Sequence, residues 1–392
     1  MDIIYLGLLF CEKSLQEEFG TIKRKISMAP HKFQSNLIRG MESQENVNLS
    51  VVNVPPIGSF PINNKKFISR EYIWGKENKQ IGYVNLPWFK HIIQEYKLYF
   101  EIERRILNEK TTWIMIYSLY EPFLKTVQRI KKRHPEVNIC LLHTDAVPGR
   151  DDMEQYMTKA AKRRGNKAVK IAKSFNRFIL LTENLLGPLE VGDRPSLVVE
   201  CLCDETQQQA ETKERVGGTF LYTGEVCRAF GICELAEAFK GKENLQLWIC
   251  GDGDAHDDIT KLASNYPNIQ YFGYVTQEKI KKLQDKCSFL INPRQPAGTY
   301  TKYSFPSKTA EYMMTGKPVI MYKLEAIPDG YDKYLNYLKE TTPKGIAEEI
   351  QLIADSDYSV LKEKAENGRE YMLKNKNSKK IGQRIVNFLC EE

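Results

Sequence analysis

Short unbroken apolar runs alternate along this chain with longer stretches in which apolar residues recur every three or four positions. The first pattern suits strands buried on both faces, the second helices packed along one stripe. In the first half, the runs at 2–9, 47–54, 112–118, 138–143 and 178–181 read as strands, with Pro55 and Pro56 closing the second. The stretches 32–41, 88–108 and 121–133 read as helices. Within 88–108 the spacing of Phe89, Ile92, Ile93, Tyr96, Tyr99, Phe100 and Ile102 gives a long amphipathic helix.

A second round of alternation begins after Cys203. The polar segment 204–218, with Gln207 to Gln209 and the Gly217-Gly218 pair, reads as a linker or exposed loop. Strands follow at 219–223, 245–250, 269–271, 288–291 and 318–321. Helices are expected at 231–239, 255–266, 277–287 and 307–315, and then across 344–355 and 360–390. Both halves are therefore α/β, each expected to hold a mostly parallel sheet with helices on both faces. Ligands of such sheets bind beyond the carboxyl ends of the strands.

Length supports the division, since 392 residues exceed what one hydrophobic core usually serves. Composition is that of a globular protein, 42% hydrophobic and 27% charged. The apolar start carries Asp2 and lacks a basic leader, so it reads as a first strand and not as a signal peptide. No apolar run approaches the roughly 20 residues a spanning helix needs. The nine cysteines are scattered, without a C-x-x-C pair or a histidine cluster, so a zinc site is not expected and a reducing, cytoplasmic setting is. The formal charge of +7 is uneven: Lys159, Lys162, Arg163, Arg164, Lys167, Lys170 and Lys173 form one run. The run can attract anionic headgroups or be an ordinary solvated helix face. No nucleic-acid recognition motif accompanies it.

Candidate chemistry concentrates in the second half. Arg294, Ser307, Lys308 and Glu311 fall in one strand–loop–helix unit, with Pro306 at the helix start and Gly316 and Pro318 ending it. Cations beside free helix N–H groups suit a phosphate, and a carboxylate one turn on can accept hydrogen bonds from sugar hydroxyls. Helix punctuation with a solvated Lys–Glu pair would look the same. Three further loops lie at strand ends: Gly224 to Arg228, Gly251 to Asp254, and Gly273 to Val275. Glycine there permits close backbone approach to a ligand, or only a tight turn.

The order Tyr222-Thr223-Gly224, Gly231 to Phe239, Gly251-Asp252-Gly253, Asn268 to Val275 and Phe305 to Pro318 resembles the C-terminal half of family-4-type glycosyltransferases of the GT-B fold. The resemblance covers about residues 219–322. More narrowly, Asn292-Pro293-Arg294 with the Tyr303 to Lys308 segment is similar to bacterial enzymes that build capsule or other surface polysaccharides. It implies two Rossmann-like domains facing each other across a cleft: an acceptor domain at 1–200, a nucleotide-sugar domain at 201–370, and a helix in 371–392 returning to the first. It also implies sugar transfer from a nucleotide diphosphate sugar, UDP favoured, to a hydroxyl of a glycan acceptor, with retention and without a metal or other cofactor.

Residue by residue, the resemblance puts Glu311 on the ribose and Gly224, Arg228, Arg294, Ser307 and Lys308 on the diphosphate. Gly251, Tyr274 and Val275 would take the base. Tyr303 stands where the family has the first acid of its E-x7-E motif, facing the donor sugar. Glu225 and Phe230 stand at the family's basic pair, so Arg228, Arg294 and Lys308 are left to supply the positive charge. On the N-terminal side His143-Thr144-Asp145 ends a strand: Asp145 can orient or deprotonate an acceptor hydroxyl and His143 can touch the donor, or Asp145 caps a turn and His143 is a core residue. A lipid-linked acceptor is expected, reached from the inner face of the plasma membrane through the Lys159 to Lys173 run and the aromatic face of the 88–100 stretch. A nucleotide-sugar epimerase on the same fold and a catalytically silent nucleotide-sugar-binding subunit are the alternatives.

Overall fold

A computed structural model describes residues 1–23, 27–108, 113–150, 157–205, 207, 209, 216–296 and 299–391. Most of the expected linker at 204–218 lies outside the described residues. The chain forms two compact units, Met1–Leu202 with Ser378–Glu392, and Cys203–Asn377. The second boundary falls after residue 377 and not at 370, because the helix Tyr358–Asn375 continues through 370 as one element of the second unit. The closing 360–390 region is two helices, Tyr358–Asn375 and Ser378–Cys390.

The strands of the first unit are β1 (Asp2–Gly7), β2 (Asn48–Asn53), β3 (Ile68–Ser69), β4 (Tyr72–Trp74), β5 (Asn78–Gln80), β6 (Tyr83–Val84), β7 (Trp113–Tyr117), β8 (Asn138–His143), β9 (Arg177–Leu180) and β10 (Ser196–Val198). Eight of them form one sheet in the order β10-β9-β8-β7-β1-β2-β5-β4, parallel throughout except for the β4–β5 edge, while β3 pairs with β6. β7 is buried at every position, which is why its sequence, Trp-Ile-Met-Ile-Tyr, is apolar without alternation. Neighbours change direction of succession at β1, flanked by β2 and β7, so the unit's switch point lies beyond Gly7 and Tyr117.

Helix Ser378–Cys390 completes this unit by packing on helix Ala29–Glu42. Ile381, Ile385, Phe388 and Leu389 join the same buried cluster as Ile3, Leu37 and Met41. The two helices touch backbone to backbone: a Cβ at Gly40 would lie 1.9 Å from the Ser378 carbonyl oxygen, and one at Gly382 would lie 2.2 Å from the Gly40 carbonyl. Arg177 stacks on the Phe388 ring at 5.0 Å and holds the far end.

The second unit holds β11 (Thr219–Thr223), β12 (Gln246–Cys250), β13 (Ile269–Tyr271), β14 (Phe289–Asn292), β15 (Val319–Tyr322) and β16 (Asn336–Leu338), all parallel, in the order β13-β12-β11-β14-β15-β16. Counted within the unit this is 3-2-1-4-5-6, the doubly wound dinucleotide-binding order, with its switch point between β11 and β14. Its helices start on side-chain caps where the sequence offers them: Thr276 accepts from the Lys279 N–H, Thr342 from Gly345 and Asp357 from Ser359. Among the described residues no helix is long and apolar enough to cross a membrane.

Candidate active site

The carboxyl ends of β11, β12 and β13 are stitched into one rim. The Gly224 N–H donates to the Cys250 carbonyl at 3.0 Å, the Gly251 N–H to Gly273 at 2.8 Å, and the Val226 N–H to Asp252 at 3.1 Å. Gly251 sits at φ +140°, and a Cβ there would fall 1.7 Å from the Gly224 oxygen. The second loop's Gly251 and Gly253 are thus required by the approach of the first loop's backbone, whereas a Cβ at Gly224 would meet the Tyr222 hydroxyl at 2.6 Å. The Tyr271 hydroxyl donates to the Gly251 carbonyl at 3.0 Å and fixes the outer edge. Tyr274, expected at the base, stands 82% exposed on the third loop, with Val275 half-buried beside it.

Helix Ser307–Met313 is pinned to this rim through Tyr312. The buried Tyr312 hydroxyl accepts from the Thr223 N–H at 2.8 Å and donates to the Thr223 carbonyl at 3.2 Å. Burial raises its pKa well above the usual phenol range, so it holds as a neutral donor and acceptor. The pin fixes the helix against the residue before Gly224, at the switch point. Lys308 and Glu311, on the same helix, meet there: the Lys308 Nζ donates to Glu311 Oε2 at 2.6 Å, with the side chains 32% and 34% exposed. Ser307 is exposed in the first turn, which Pro306 opens without a side-chain cap. Gln207 donates to the Glu311 carbonyl at 3.0 Å and closes the other side.

Arg294 follows β14. Its guanidinium lies 4.3 Å from the centre of the Phe230 ring, and its N–H bonds Asn292 Oδ1 at 3.3 Å. This stack carries the loop after β14 onto the loop after β11. Arg228 is differently employed. It pairs with Asp258 at 2.6 Å, its N–H donates to Asp254 Oδ1 at 2.9 Å, and its guanidinium also bonds the Asp254 carbonyl. The Arg228 side chain, expected on a diphosphate, is thus engaged by the Asp258 carboxylate and the Asp254 carbonyl, while the Asp254 carboxylate holds its backbone N–H. Tyr303 is buried at 5% exposure and brings no charge to the position. Glu225 is exposed, and its carbonyl accepts from the Tyr222 hydroxyl at 2.7 Å.

In the first unit, His143 ends β8 at 2% exposure, and its ring is buried with a backbone interaction from Asp145 alone opposing the effect of burial among the described residues. Burial lowers its pKa to about 4, so the ring is neutral at pH 7. Asp145 lies at the surface, where its Oδ2 accepts from the Thr144 hydroxyl at 3.2 Å, and Thr144 in turn is 3.0 Å from the Tyr117 hydroxyl. Surrounding protein raises the Asp145 carboxyl above its ordinary value, while the Thr144 bond opposes the rise. The chain Tyr117–Thr144–Asp145 runs along the carboxyl ends of β7 and β8, next to this unit's switch point, and no sequence pattern pointed to Tyr117. Among the described residues no group of three or more His, Cys, Asp or Glu side chains is arranged to hold a metal ion.

Residues 217–356 match the family described as glycosyl transferases group 1. No curated protein matches the chain. Among solved structures, TarM of S. aureus is similar at 15% identity and a TM-score of 0.58, over 83% of this chain and 64% of TarM. The chain thus spans about two-thirds of the length of that protein. An alpha,alpha-trehalose-phosphate synthase (UDP-forming) from Burkholderia xenovorans matches over 100% of both chains at 8% identity and a TM-score of 0.67. HepE of Anabaena, solved with UDP and glucose, matches over 100% of both at 13% identity and a TM-score of 0.61. Two Rossmann-like units, these likenesses and a glycosyl transferases group 1 domain over residues 217–356 give the chain the GT-B glycosyltransferase fold.

Proposed function

We propose that the chain transfers a sugar from a nucleotide diphosphate sugar to a hydroxyl of a glycan acceptor, the second unit binding the donor and the first the acceptor. The observation that carries the reading is the pin from Tyr312 to Thr223, which holds Lys308 and Glu311 at the β11–β14 switch point beside the Gly224 and Gly251 loops. In the bound state Lys308 and Arg294 meet the diphosphate, Glu311 accepts from the ribose hydroxyls, and the base lies on the Gly251 and Val275 loops. Departure of the nucleoside diphosphate builds negative charge, which fixed cations and backbone N–H groups stabilise without a metal ion. UDP is the favoured nucleotide, in keeping with the UDP bound in the HepE structure and the UDP-forming reaction in the name of the trehalose-phosphate synthase. Retention at the anomeric carbon and a lipid-linked surface-polysaccharide acceptor complete the proposal. In the first unit Asp145 serves as the polar group toward the acceptor hydroxyl, with its carboxyl held by Thr144.

Tyr303 and Phe230, in place of an acid and a base, favour one second reading: a subunit that holds a nucleotide sugar and does not cleave it. Titration of UDP and GDP, each followed by its common sugar forms, separates the readings. A bound nucleotide raises the melting temperature once its concentration passes its dissociation constant. Binding with release of free UDP on adding acceptor supports transfer, binding with no release under any acceptor supports the silent subunit, and no binding by any nucleotide overturns both.

A further inference from the structure

Helix Phe89–Asn108 buries Leu98, Tyr99 and Ile102 and leaves an apolar stripe on its other side. Phe89, Ile92, Tyr96 and Phe100 are each more than half exposed, and Trp88, just before the helix, is 90% exposed. Their spacing keeps them on one side over about 17 Å of helix. Tyr96 and Phe100 stack edge to face at 4.6 Å, so the stripe is continuous there. Trp88 holds φ +71°, a conformation a bulky residue rarely adopts, and adopts it without gaining burial. Contiguous exposed aromatics of this kind mark an interaction surface.

A cationic helix lies one helix away from the stripe. Helix Phe89–Asn108 packs on helix Glu121–Arg133, which packs on helix Lys159–Ala172. His91 of the first helix lies 4.0 Å from Glu121 of the second, at the end where charges of the third also reach. His91 has its pKa lowered by burial first and then by nearby cations that include Arg164, and Lys167 lowers that of Glu121 behind the stronger pull of Lys125. The exposed cations of the third helix are Lys159, Arg163, Arg164, Lys167 and Lys170, of which the last four lie within two turns of one another. Lys162 is half-buried, and Lys173 is paired with Glu190, so neither belongs to this face although both are in the sequence run.

We propose that this face of the first unit docks on an anionic lipid bilayer, with Trp88, Ile92 and Tyr96 entering the headgroup region and the 163–170 cations on lipid phosphates. Tryptophan and tyrosine favour that interface, and basic residues beside an apolar stripe are its usual companions. A second copy of the chain would set the same cations against themselves, which opposes self-association through this face. The docking stands apart from the donor site, and its test uses no nucleotide, so failure of either leaves the other untouched.

The test is co-sedimentation of the full chain with sucrose-loaded vesicles of phosphatidylglycerol and phosphatidylcholine, against phosphatidylcholine alone. The wild type is expected to pellet with the anionic vesicles only, and salt should release it. One cation near an anionic surface contributes about fivefold to partitioning. The combined R163Q, R164Q, K167Q and K170Q variant should therefore bind roughly 600-fold more weakly. A second variant, Trp88→Ser with Ile92→Ser and Tyr96→Ser, should bind more weakly at unchanged salt dependence, and its exposed positions leave the fold intact by circular dichroism. Trp88 fluorescence should shift to the blue on anionic vesicles in the wild type. Failure to bind anionic vesicles, binding by both variants as tight as that of the wild type, or dimerisation abolished by the stripe variant would overturn the proposal.

Discussion

Replacing Glu311 by alanine separates a binding role from a structural one. In the structure Glu311 has one side-chain partner, Lys308 at 2.6 Å, and both side chains are about one-third exposed. An exposed pair of this spacing contributes roughly 0.3–0.5 kcal/mol, so the variant's melting temperature should fall by less than about 2 °C. If Glu311 accepts from the ribose hydroxyls, the loss on the ligand side is larger. A hydrogen bond to a charged group contributes about 1.5–3 kcal/mol. At tenfold per 1.4 kcal/mol, the dissociation constant for UDP should rise roughly 10- to 150-fold.

Calorimetric titration of UDP into wild type and variant measures the ratio directly. A second ligand sharpens it: 2′,3′-dideoxy-UDP lacks the hydroxyls, so it should bind wild type as weakly as UDP binds the variant, and the variant should not distinguish the two nucleotides. Lys308→Ala should weaken both nucleotides equally, since its partner is the diphosphate. Equal UDP affinity in wild type and E311A, or a dideoxy penalty that survives the substitution, would refute the assignment. A melting temperature that collapses in E311A would show that the pair is structural.

Three further outcomes follow from named contacts. Tyr312→Phe removes the hydroxyl that the Thr223 N–H needs, leaving a buried donor unmatched at about 1–3 kcal/mol; urea unfolding should show that loss, and UDP affinity should fall with it because Lys308 and Glu311 lose their anchor. Gly382→Ala places a methyl 2.2 Å from the Gly40 carbonyl, so the C-terminal helix should come away from the first unit and be cleaved early in limited proteolysis, while nucleotide binding by the second unit persists. The folded His143 pKa of about 4 lies below its ordinary value of 6.5, so its contribution is complete above pH 6.5 and is lost as pH falls through about 4. That is on the order of 3 kcal/mol, read as the stability difference between wild type and His143→Asn at pH 7 and pH 4. The comparison cancels Asp145, whose raised carboxyl acts with the opposite sign.

Much of the fold was legible because central parallel strands are apolar on both faces. Thr219–Thr223 and Trp113–Tyr117 announce themselves as unbroken runs, and their helices by stripe. Most two- and three-residue strands were not, Ile269–Tyr271 being an exception. Ile68–Ser69, Ser196–Val198 and Asn336–Leu338 carry too few positions for any period to show, and pairing with a neighbour makes them strands. In the site, Lys308 and Glu311 were readable because three residues apart on a helix means adjacent. The Tyr312 pin was not, since Thr223 lies 89 residues away, and neither was the pairing of Arg228 with Asp258. Local spacing is visible in a sequence; contacts made by sheet closure are not.

The position of the positive charge explains why Phe230 and Glu225 are compatible with a donor site. A basic residue at 230 would face the Arg294 guanidinium across the same loop contact, and two cations there would repel. Phenylalanine offers its ring face instead, and a planar guanidinium lying on that face keeps its N–H edge directed outward in the plane of the fork. Arg294 thereby becomes a rigid cation at the end of β14, directly across the switch point from Gly224 at the end of β11. Under the proposed function, the charge that the resembling glycosyltransferases place after the first strand of this sheet would be supplied here after the fourth. Glu225 fits the same account: it is exposed, and the loop uses its carbonyl, bonded to Tyr222, as the structural group. On this argument the departures from the basic pair of the glycosyltransferases it resembles are one coupled change, and under the proposed function the charge that a departing diphosphate requires would come from Arg294 and Lys308.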